Sequence, residues 1–461
     1  MFESQQWGHR IRDRASFPAP KRQVKIPVAI VGGGIAGLSA AWRLDKKGFR
    51  DFVLLEAESA GAGGNARWGE NEVSAYPWAA HYLPIPNRSA VYVRELCEEF
   101  GLLKDGRWDE MTLCFSPQER MFIHGRWQEG IEPERKWLAP FEERVAEFRA
   151  SKKFTIPMEL GGHDSPLDKL SMADWMRQEK LNSPALDWYI NYCCRDDYGA
   201  LAADTSGWAG IHYFASREHE EKGPLVWPEG NGWLARRLID KLRGYIRTGA
   251  PVHRIAKRGT RWSVFAGDVE YQADSVIFAA PTFTAEYIVE GASHVDFQYS
   301  PWLTANLTLQ RMPRDNGAPL SWDNVIHDSP ALGYVDNTHQ SLRRYIDRTV
   351  LTFYWALAQG TPAENRRLLL SHDWNYWKEA ILTDLERAHP DIRQCVSRID
   401  ILRMGHAMAR PVPGFLASES RRRAIAGGGR LYYANSDLSG FSIFEEAQYR
   451  GVKAADKILS G

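Results

Sequence analysis

The sequence predicts an α/β protein with a parallel sheet, built from two closely packed domains. At 461 residues the chain is too long for one ordinary hydrophobic core. An apolar run over residues 26–34 ends in glycines, which is typical of a buried parallel strand. A helical pattern over 35–48 and a second apolar run over 51–57 follow it directly. This strand–helix–strand order implies a parallel sheet with a right-handed crossover.

Composition excludes several classes of protein. The content of 44% hydrophobic and 25% charged residues is that of an ordinary globular chain. The formal net charge is zero, so no overall basic field points to nucleic acid or an anionic membrane surface. No stretch approaches the roughly 18 uninterrupted apolar residues of a membrane span. Residues 1–25 carry basic side chains without an apolar run, which predicts a polar N-terminal arm and not a signal peptide.

The five cysteines show no metal-ligand spacing, so no metal site is expected. We interpret the adjacent Cys193 and Cys194 as core residues and not as a redox pair. The odd count, without a secretory segment, favours the reducing cytoplasm.

The later elements alternate between helices and strands. A helix is predicted over 89–100, and the chain then continues to about residue 220 as helices separated by irregular, Trp-rich loops. Further strands are predicted over 250–256, 261–266, 274–279, 302–311, 349–357 and 430–435, and further helices over 234–246, 363–388 and 444–459.

The first strand–turn–helix carries a dinucleotide-binding fingerprint. Gly32, Gly34 and Gly37 have the spacing in which the first glycine makes the tight turn. The second admits the pyrophosphate, and the third allows close helix–strand packing. Glu56, at the end of the next strand, can accept hydrogen bonds from a ribose diol. The helix N-terminus adds free N–H groups and a partial positive charge. These residues alone do not separate FAD from NAD.

Segments later in the chain separate the two dinucleotides. They are a second glycine motif at 56–65, a Gly-rich helix entry at 228–234, strand segments at 251–255 and 273–281, and C-terminal segments at 431–437 and 444–455. In content and order they resemble the flavin amine oxidase superfamily, which includes monoamine and polyamine oxidases, protoporphyrinogen oxidase and phytoene-desaturase-like enzymes. The resemblance covers nearly the whole chain from 26 to 459.

The resemblance implies non-covalent FAD, since the cysteine closest to the C-terminal motif is Cys395. It implies a Rossmann-like FAD-binding domain with a discontinuous α+β substrate-binding domain. The implied division is an arm at 1–25, FAD-binding parts at 26–88, 225–290 and 401–461, and substrate parts at 89–224 and 291–400. The cofactor-binding residues expected on this basis are Gly32, Gly34, Ile35, Ala36, Gly37, Glu56, Ala57, Gly64, Asn65, Arg67, Val252, Ala280, Asp437 and Phe444.

The chain also departs from the amine oxidases. Many of them place a Lys near the flavin on the strand matching 304–309, and here no Lys occurs from Arg258 to Trp377. The missing Lys makes an oxidase a less favoured interpretation than a dehydrogenase or desaturase. Asn65 stands where the family has Arg, and Arg67 is the candidate to replace its phosphate contact. Ile443 stands at a position where many amine oxidases have an aromatic ring that flanks the substrate nitrogen. In this chain Phe441 or Phe444 is the alternative source of such a ring.

Candidates for catalysis are weak. His81 is either a proton acceptor or a hydrogen-bonded packing residue. His406 and Arg410 match positions on the substrate side, where Arg410 either holds a substrate carboxylate or makes a loop salt bridge. Trp355 either walls the pocket or packs in the core, and the run Arg421–Arg423 is expected in a solvated turn.

The expected activity is removal of hydride by FAD from a small molecule, foremost an amine, with polyamines as one subclass. A desaturase or porphyrinogen-type dehydrogenase acting on a flat apolar substrate is the first alternative. A flavin-binding sensor or assembly partner without turnover is the second. The electron acceptor, oxygen or another, and the oligomeric state, with a homodimer as one option, are left open.

Overall fold

The computed structural model describes residues 3–158, 165–218 and 223–461 as a mixture of helices and sheets. The strands around the predicted dinucleotide loop form one parallel array. Its order in space is Ile246–Arg247, Phe52–Leu55, Arg22–Val31, Val269–Phe278 and Leu431–Tyr433. Arg261–Ala266 and Val252–Arg258 extend the same sheet as antiparallel strands. This sheet therefore collects strands from the beginning, the middle and the end of the chain.

Two helices pack against each other beside this sheet. They are Ile35–Lys46, which follows the glycine loop, and the C-terminal helix Phe444–Leu459. They cross so closely at Gly451 that a Cβ atom there would overlap the carbonyl oxygen of Ala36. The end of the chain thereby supports the helix that begins at the dinucleotide loop.

A second sheet is almost entirely antiparallel. Its order is Val396–Arg410, Gln298–Leu309, Thr349–Ala356, Gly333–Asp336, Asp323–Ile326, Glu119–Ile123 and Arg126–Glu129. Only Asp323–Ile326 and Glu119–Ile123 pair in parallel. Leu303, Phe353 and Trp377 lie in the buried core on one side of this sheet.

The remaining helices are Glu3–Arg12, Val91–Glu99, Arg135–Ala150, Met172–Gln178, Pro184–Tyr198, Gly207–Ala215, Gly232–Leu242, Ala285–Ile288, Pro362–Ser371, Trp374–Glu386, Ile392–Cys395 and Glu419–Ala426. Short paired strands occur at Trp68–Glu70 with Ala75–Pro77, Tyr82–Leu83 with Leu225–Val226, and Leu103–Lys104 with Arg107–Trp108. Within the ranges described, no helix combines the length and apolarity needed to cross a membrane.

Most predicted elements are present with ends shifted by a few residues, but the helix predicted over 363–388 is two helices. The first ends at Ser371 and the second begins at Trp374. Asp373 divides them because its side chain accepts the backbone N–H of Tyr376 and caps the second helix.

The predicted solvated turn at Arg421–Arg423 is wrong. These residues lie in the helix Glu419–Ala426, and Arg421 is buried. Its Nε donates to the Leu438 carbonyl at 2.7 Å and its Nη1 to the Leu416 carbonyl at 3.2 Å. Burial lowers the pKa of Arg421 to about 10. An arginine in a run of charges can therefore be buried where backbone carbonyl groups accept hydrogen bonds from its guanidinium group.

Two further expectations need correction. The N-terminal arm contains the helix Glu3–Arg12, and its last residues begin the first strand at Arg22. The stretch from 89 to 220 also contains the hairpin of Glu119–Ile123 and Arg126–Glu129. Buried Arg120, whose Nε donates to Asn324 Oδ1 at 2.6 Å, interrupts the apolar alternation that would reveal the first of these strands.

Candidate functional site

The glycine loop has the geometry that close approach of a ligand requires. Gly32 has φ of +103°, and a Cβ atom there would lie 2.8 Å from the backbone nitrogen of Ala280. A Cβ atom at Gly37 would overlap the carbonyl oxygen of Gly32, so Gly37 is needed for packing within the loop. Gly34 differs, because its nearest atom would be the Cα of Gly64 at 3.9 Å. The open side of Gly34 is therefore available to a ligand at the N-terminus of the helix.

Glu56 is held against this loop by backbone donors. It is 7% exposed and follows the strand Phe52–Leu55. Its Oε2 accepts the N–H of Gly33 at 2.8 Å and its Oε1 accepts the N–H of Glu58 at 2.8 Å. Burial raises the pKa of Glu56, although both N–H groups act in the opposite direction. The carboxylate is thus fixed beside the loop.

The second glycine motif closes the loop from the other side. Gly64–Ala66 form a short 3₁₀ turn whose Gly64 faces Gly34. Arg67 Nη1 lies 2.9 Å from Glu58 Oε1, and its Nε donates to the Gly64 carbonyl. Asn65 Nδ2 donates to the Ala407 carbonyl at 3.1 Å and so joins the loop to the second sheet.

The C-terminal motif brings Asp437 to the same place. This buried carboxylate accepts from the Thr282 N–H at 2.7 Å, the Thr282 hydroxyl at 2.6 Å and the Tyr299 hydroxyl at 2.7 Å. Burial raises its pKa. Phe444, nearby, begins the C-terminal helix, so that helix points its N-terminus toward the space between the two sheets.

One cavity of about 1290 Å³ joins these features. It is lined by Gly32, Gly34, Ile35, Ala36, Glu56, Ala57, Gly64, Asn65, Arg67, Val252, Ala280, Asp437 and Phe444, and also by His81, His406 and Ile443. Gly37, Arg410, Phe441 and Trp355 do not line it. The structure therefore brings together every expected cofactor residue except Gly37, which acts through packing.

Four buried polar atoms on the wall of this cavity lack a hydrogen-bond partner in the part of the chain that is described. They are Asn231 Oδ1, Trp302 Nε1, Thr304 Oγ1 and Glu445 Oε2. Buried polar groups normally have partners. Together with the open face of Gly34, these atoms fit a wall built to contact a bound polar cofactor and substrate.

Carboxylates and aromatic rings line the part of the cavity next to the second sheet. Asp196 and Asp197, from the end of the helix Pro184–Tyr198, reach it. The ring of His81 lies 4.9 Å from that of Tyr354 and 5.1 Å from that of Tyr82. Burial and the neighbouring carboxylates of Asp323 and Asp197 raise the pKa of Asp196. This carboxylate makes no hydrogen bond or ion pair with any residue of the described ranges.

Sequence reasoning did not find Asp196, Asp197 or Tyr354. The available signal was two adjacent acids, separated by Arg195 from the apolar run Tyr192–Cys194 in the same helix. Two adjacent acids also occur at ordinary, solvent-exposed helix ends. Only the tertiary structure shows that these two line a cavity. The N-terminal helix was missed as well: Gln5, Trp7, His9 and Arg12 belong to the cavity wall.

The catalytic candidates have different surroundings. His81 lines the cavity, its Nδ1 lies 3.2 Å from the Ala79 carbonyl, and burial lowers its pKa to about 4. His406 also lines the cavity, stacked on Phe283 at 4.5 Å. Arg410 is buried and its Nη2 lies 3.0 Å from Asp204 Oδ2, which agrees with the salt-bridge alternative. Trp355 packs edge-on against Trp377 at 5.7 Å.

The fold is shared with several solved structures. A putrescine oxidase matches with a TM-score of 0.75 and 17% identity, over 95% of this chain and 100% of that one. Cyclohexylamine oxidase from Brevibacterium oxydans IH-35A matches with a TM-score of 0.70 and 17% identity, over 94% and 99% of the two chains. A fatty acid isomerase from P. acnes matches with a TM-score of 0.68 and 15% identity, over 94% and 98%.

Curated relatives match only short segments. Ketocytochalasin monooxygenase of Aspergillus clavatus is 34% identical over 125 residues, which is 23% of this chain and 19% of that protein. A Rieske iron–sulfur protein of Bacillus subtilis is 49% identical over 45 residues, 10% of this chain and 9% of that protein. The chain thus spans less than a fifth of the length of these relatives.

The family assignment rests on a longer match. Residues 35–459 match the sequence model of the flavin-containing amine oxidoreductases. This range runs from the helix after the glycine loop to the end of the C-terminal helix. The chain therefore belongs to the flavin-containing amine oxidoreductase family and is a flavin-dependent oxidoreductase with FAD as its cofactor.

Proposed function

We propose that this enzyme oxidises an amine at the carbon next to nitrogen, with FAD held non-covalently in a Rossmann-like domain. The residues proposed to hold FAD are those of the glycine loop, Glu56, the turn at Gly64, Val252, Ala280, Asp437 and the N-terminus of the helix at Phe444. FAD supplies the hydride acceptor when it is bound. The division into FAD-binding and substrate parts remains part of this proposal, and its boundary at residue 400 falls inside the strand Val396–Arg410.

The observation that carries the amine assignment is the carboxylate of Asp196. It lines the cavity beside the rings of Tyr82 and Tyr354 and forms no ion pair within the described residues, although the adjacent Arg195 slightly offsets the rise in its pKa. A desolvated carboxylate is stabilised by a cation, and aromatic faces attract ammonium groups. An ammonium substrate would place a positive charge in direct contact with the Asp196 carboxylate.

The residues then have separate roles. Asp196 would hold the ammonium, the rings of Tyr82 and Tyr354 would confine it and exclude water, and His81, whose lowered pKa keeps it neutral, would pack against them. No lysine of the described ranges lines the cavity. This supports an electron acceptor other than oxygen, in keeping with the sequence expectation.

A substrate panel under anaerobic conditions tests the proposal. We expect monoamines or polyamines to bleach the flavin, and Asp196→Asn to raise the amine KM about 30-fold, or roughly 2 kcal/mol, as breaking a buried charge pair does. Asp187→Asn, which removes an exposed carboxylate of the same helix outside the cavity, is the matched control. Bleaching by flat apolar compounds alone would favour the desaturase alternative, which the apolar walls support. Bleaching by no compound would favour a binding protein without turnover.

A further inference from the structure

Tyr354 connects the cavity to a carboxylate that lies behind its wall. Its ring lines the cavity, and its hydroxyl donates to Asp323 Oδ1 at 2.7 Å. Asp323 itself does not line the cavity. Because the Tyr354 hydroxyl donates its hydrogen to Asp323, away from the cavity, its oxygen lone pairs remain free to accept a proton from the cavity side.

A second carboxylate continues from Asp323 away from the cavity. Asp323 and Glu119 are register partners in adjacent parallel strands, which places their side chains on one face of strands whose backbones lie about 5 Å apart. Exposed Glu132 follows, close enough for its charge to act on Glu119. Tyr354, Asp323, Glu119 and Glu132 thus form a row from the cavity wall to the surface.

The row has no basic partner within ion-pair distance in the residues described. Of the cations nearby, Arg195 donates to the Ser329 and Pro330 carbonyls, and Arg217 pairs with Glu445. The other titratable groups that face Asp323 and Glu119 are Asp196, Tyr192, Tyr82, Tyr189, Cys114 and Cys193. Burial and the adjacent Glu119 carboxylate raise the pKa of Asp323 to about 7. Burial and the charges of Glu132 and Asp196 raise that of Glu119 to about 7.

We propose that the Tyr354–Asp323–Glu119 row removes the proton from the bound ammonium substrate and conducts it to solvent. In the first step an N–H bond of the ammonium breaks and an O–H bond forms at Tyr354 Oη. At the same time the original Tyr354 O–H bond breaks and the proton passes to the Asp323 carboxylate. The nitrogen keeps its electron pair, and nothing is oxidised or reduced. Glu119 then accepts the proton from Asp323 and releases it toward Glu132.

This inference rests on the proposed amine oxidation and gives the two carboxylate sites different tasks. Asp196 neutralises the ammonium, so its loss raises KM. Asp323 acts through Tyr354 after binding, so its loss lowers the rate of flavin reduction at saturating amine. Because the relay needs an ionised Asp323, that rate is expected to rise with pH through about 7 in the unaltered enzyme.

The test measures anaerobic flavin reduction against pH, using the amine that bleaches the holoenzyme fastest. Asp323→Asn keeps an acceptor for the Tyr354 hydroxyl but cannot take a proton. We expect it to lower the limiting rate about 100-fold, in the range of lost general-base catalysis, and to abolish the step near pH 7. Tyr354→Phe should do the same. Tyr192→Phe is the matched control, since that buried hydroxyl donates only to the Leu332 carbonyl at 3.1 Å.

A second readout does not depend on turnover. Binding of tert-butylamine, which has no hydrogen on the carbon next to nitrogen, should produce an infrared band of a protonated carboxyl group that Asp323→Asn lacks. Persistence of the band, or an unchanged pH profile in Asp323→Asn, overturns the relay while leaving amine oxidation intact. A change in KM for diamines alone would instead identify Asp323 as a substrate-binding group. If no amine reduces the unaltered enzyme, the proposed function fails first.

Discussion

At the scale of single residues, the glycines of the dinucleotide loop divide into two kinds. Gly37 is required by the protein itself, because a side chain there would meet the Gly32 carbonyl. Gly34 has open space around its Cα, and that space belongs to the cavity. The sequence predicted both positions from their spacing, but only the structure separates packing from ligand approach.

This difference predicts opposite outcomes for two similar substitutions. Gly34→Ala should leave the fold of the FAD-free protein intact while lowering FAD affinity at least tenfold, or about 1.4 kcal/mol. Gly37→Ala should destabilise the protein with or without FAD. Circular dichroism melting and flavin fluorescence titration measure the two effects. Tight FAD binding by Gly34→Ala would contradict the assignment of that space to the pyrophosphate.

The acidic residues behind the cavity wall could not be predicted individually. Asp323 and Glu119 lie about 200 positions apart in sequence and meet only because their strands pair in parallel. Nothing local distinguishes them from ordinary surface carboxylates. Their raised pKa values, both about 7, come from burial and from neighbouring carboxylates, Glu119 acting on Asp323, and Glu132 and Asp196 acting on Glu119. None of these causes is visible in the sequence.

The same pair predicts how stability changes with pH. A carboxylate whose folded pKa is raised contributes stability that is complete below its unfolded value near 4 and is lost as pH rises through about 7. Asp323→Asn should therefore melt about 4 °C higher than the unaltered protein at pH 8, since a rise in pKa from about 4 to about 7 corresponds to about 4 kcal/mol, and 1 kcal/mol to about 1 °C in a chain of this length. At pH 3, below the unfolded value, the two should melt together. An equal rise in melting temperature at both pH values would indicate an effect of the substitution on packing and not the removal of a charge.

At the scale of elements, the crossing of Ile35–Lys46 with Phe444–Leu459 is what holds the loop helix in place. Sequence periodicity predicted both helices, because each carries a regular apolar stripe. The long strand Val396–Arg410 was not predicted, since its polar outer face and two register irregularities against Gln298–Leu309 obscure the alternation. This strand forms because it pairs with the distant strand Gln298–Leu309, and not because of a local sequence pattern.

Gly451 offers a test of this crossing. Gly451→Ala should force the two helices apart, lower the melting temperature and weaken FAD binding, because the loop helix moves with its support. Gly244→Ala is a suitable control, as no atom lies within 4 Å of a Cβ placed there. An unchanged melting temperature in Gly451→Ala would show that the two helices can move apart at their crossing without loss of stability.

At the scale of the whole molecule, the proposed FAD site lies between the two sheets, which are also joined by side chains such as Asn65 and Tyr299. A ligand that binds only the folded state stabilises it by about 2.7 kcal/mol at a hundredfold excess over Kd. Removal of the flavin should therefore lower the melting temperature, and its return should restore it.

Acid precipitation tests how the flavin is attached. None of the five cysteines lines the cavity. Trichloroacetic acid should therefore leave the yellow colour in the supernatant. A yellow pellet that persists after washing would contradict non-covalent binding.

The order of the strands also has a consequence for how the protein is made. The strand Val269–Phe278 receives its last neighbour, Leu431–Tyr433, only after the ribosome has added about 150 further residues. Until then the edge of this strand at Val276–Phe278 is unpaired, and neither Asp437 nor the helix that begins at Phe444 has emerged. If the proposed site is correct, a nascent chain is not expected to capture flavin before residue 444 has been made, and a chain that stops before residue 431 should stay colourless however much flavin the cell provides.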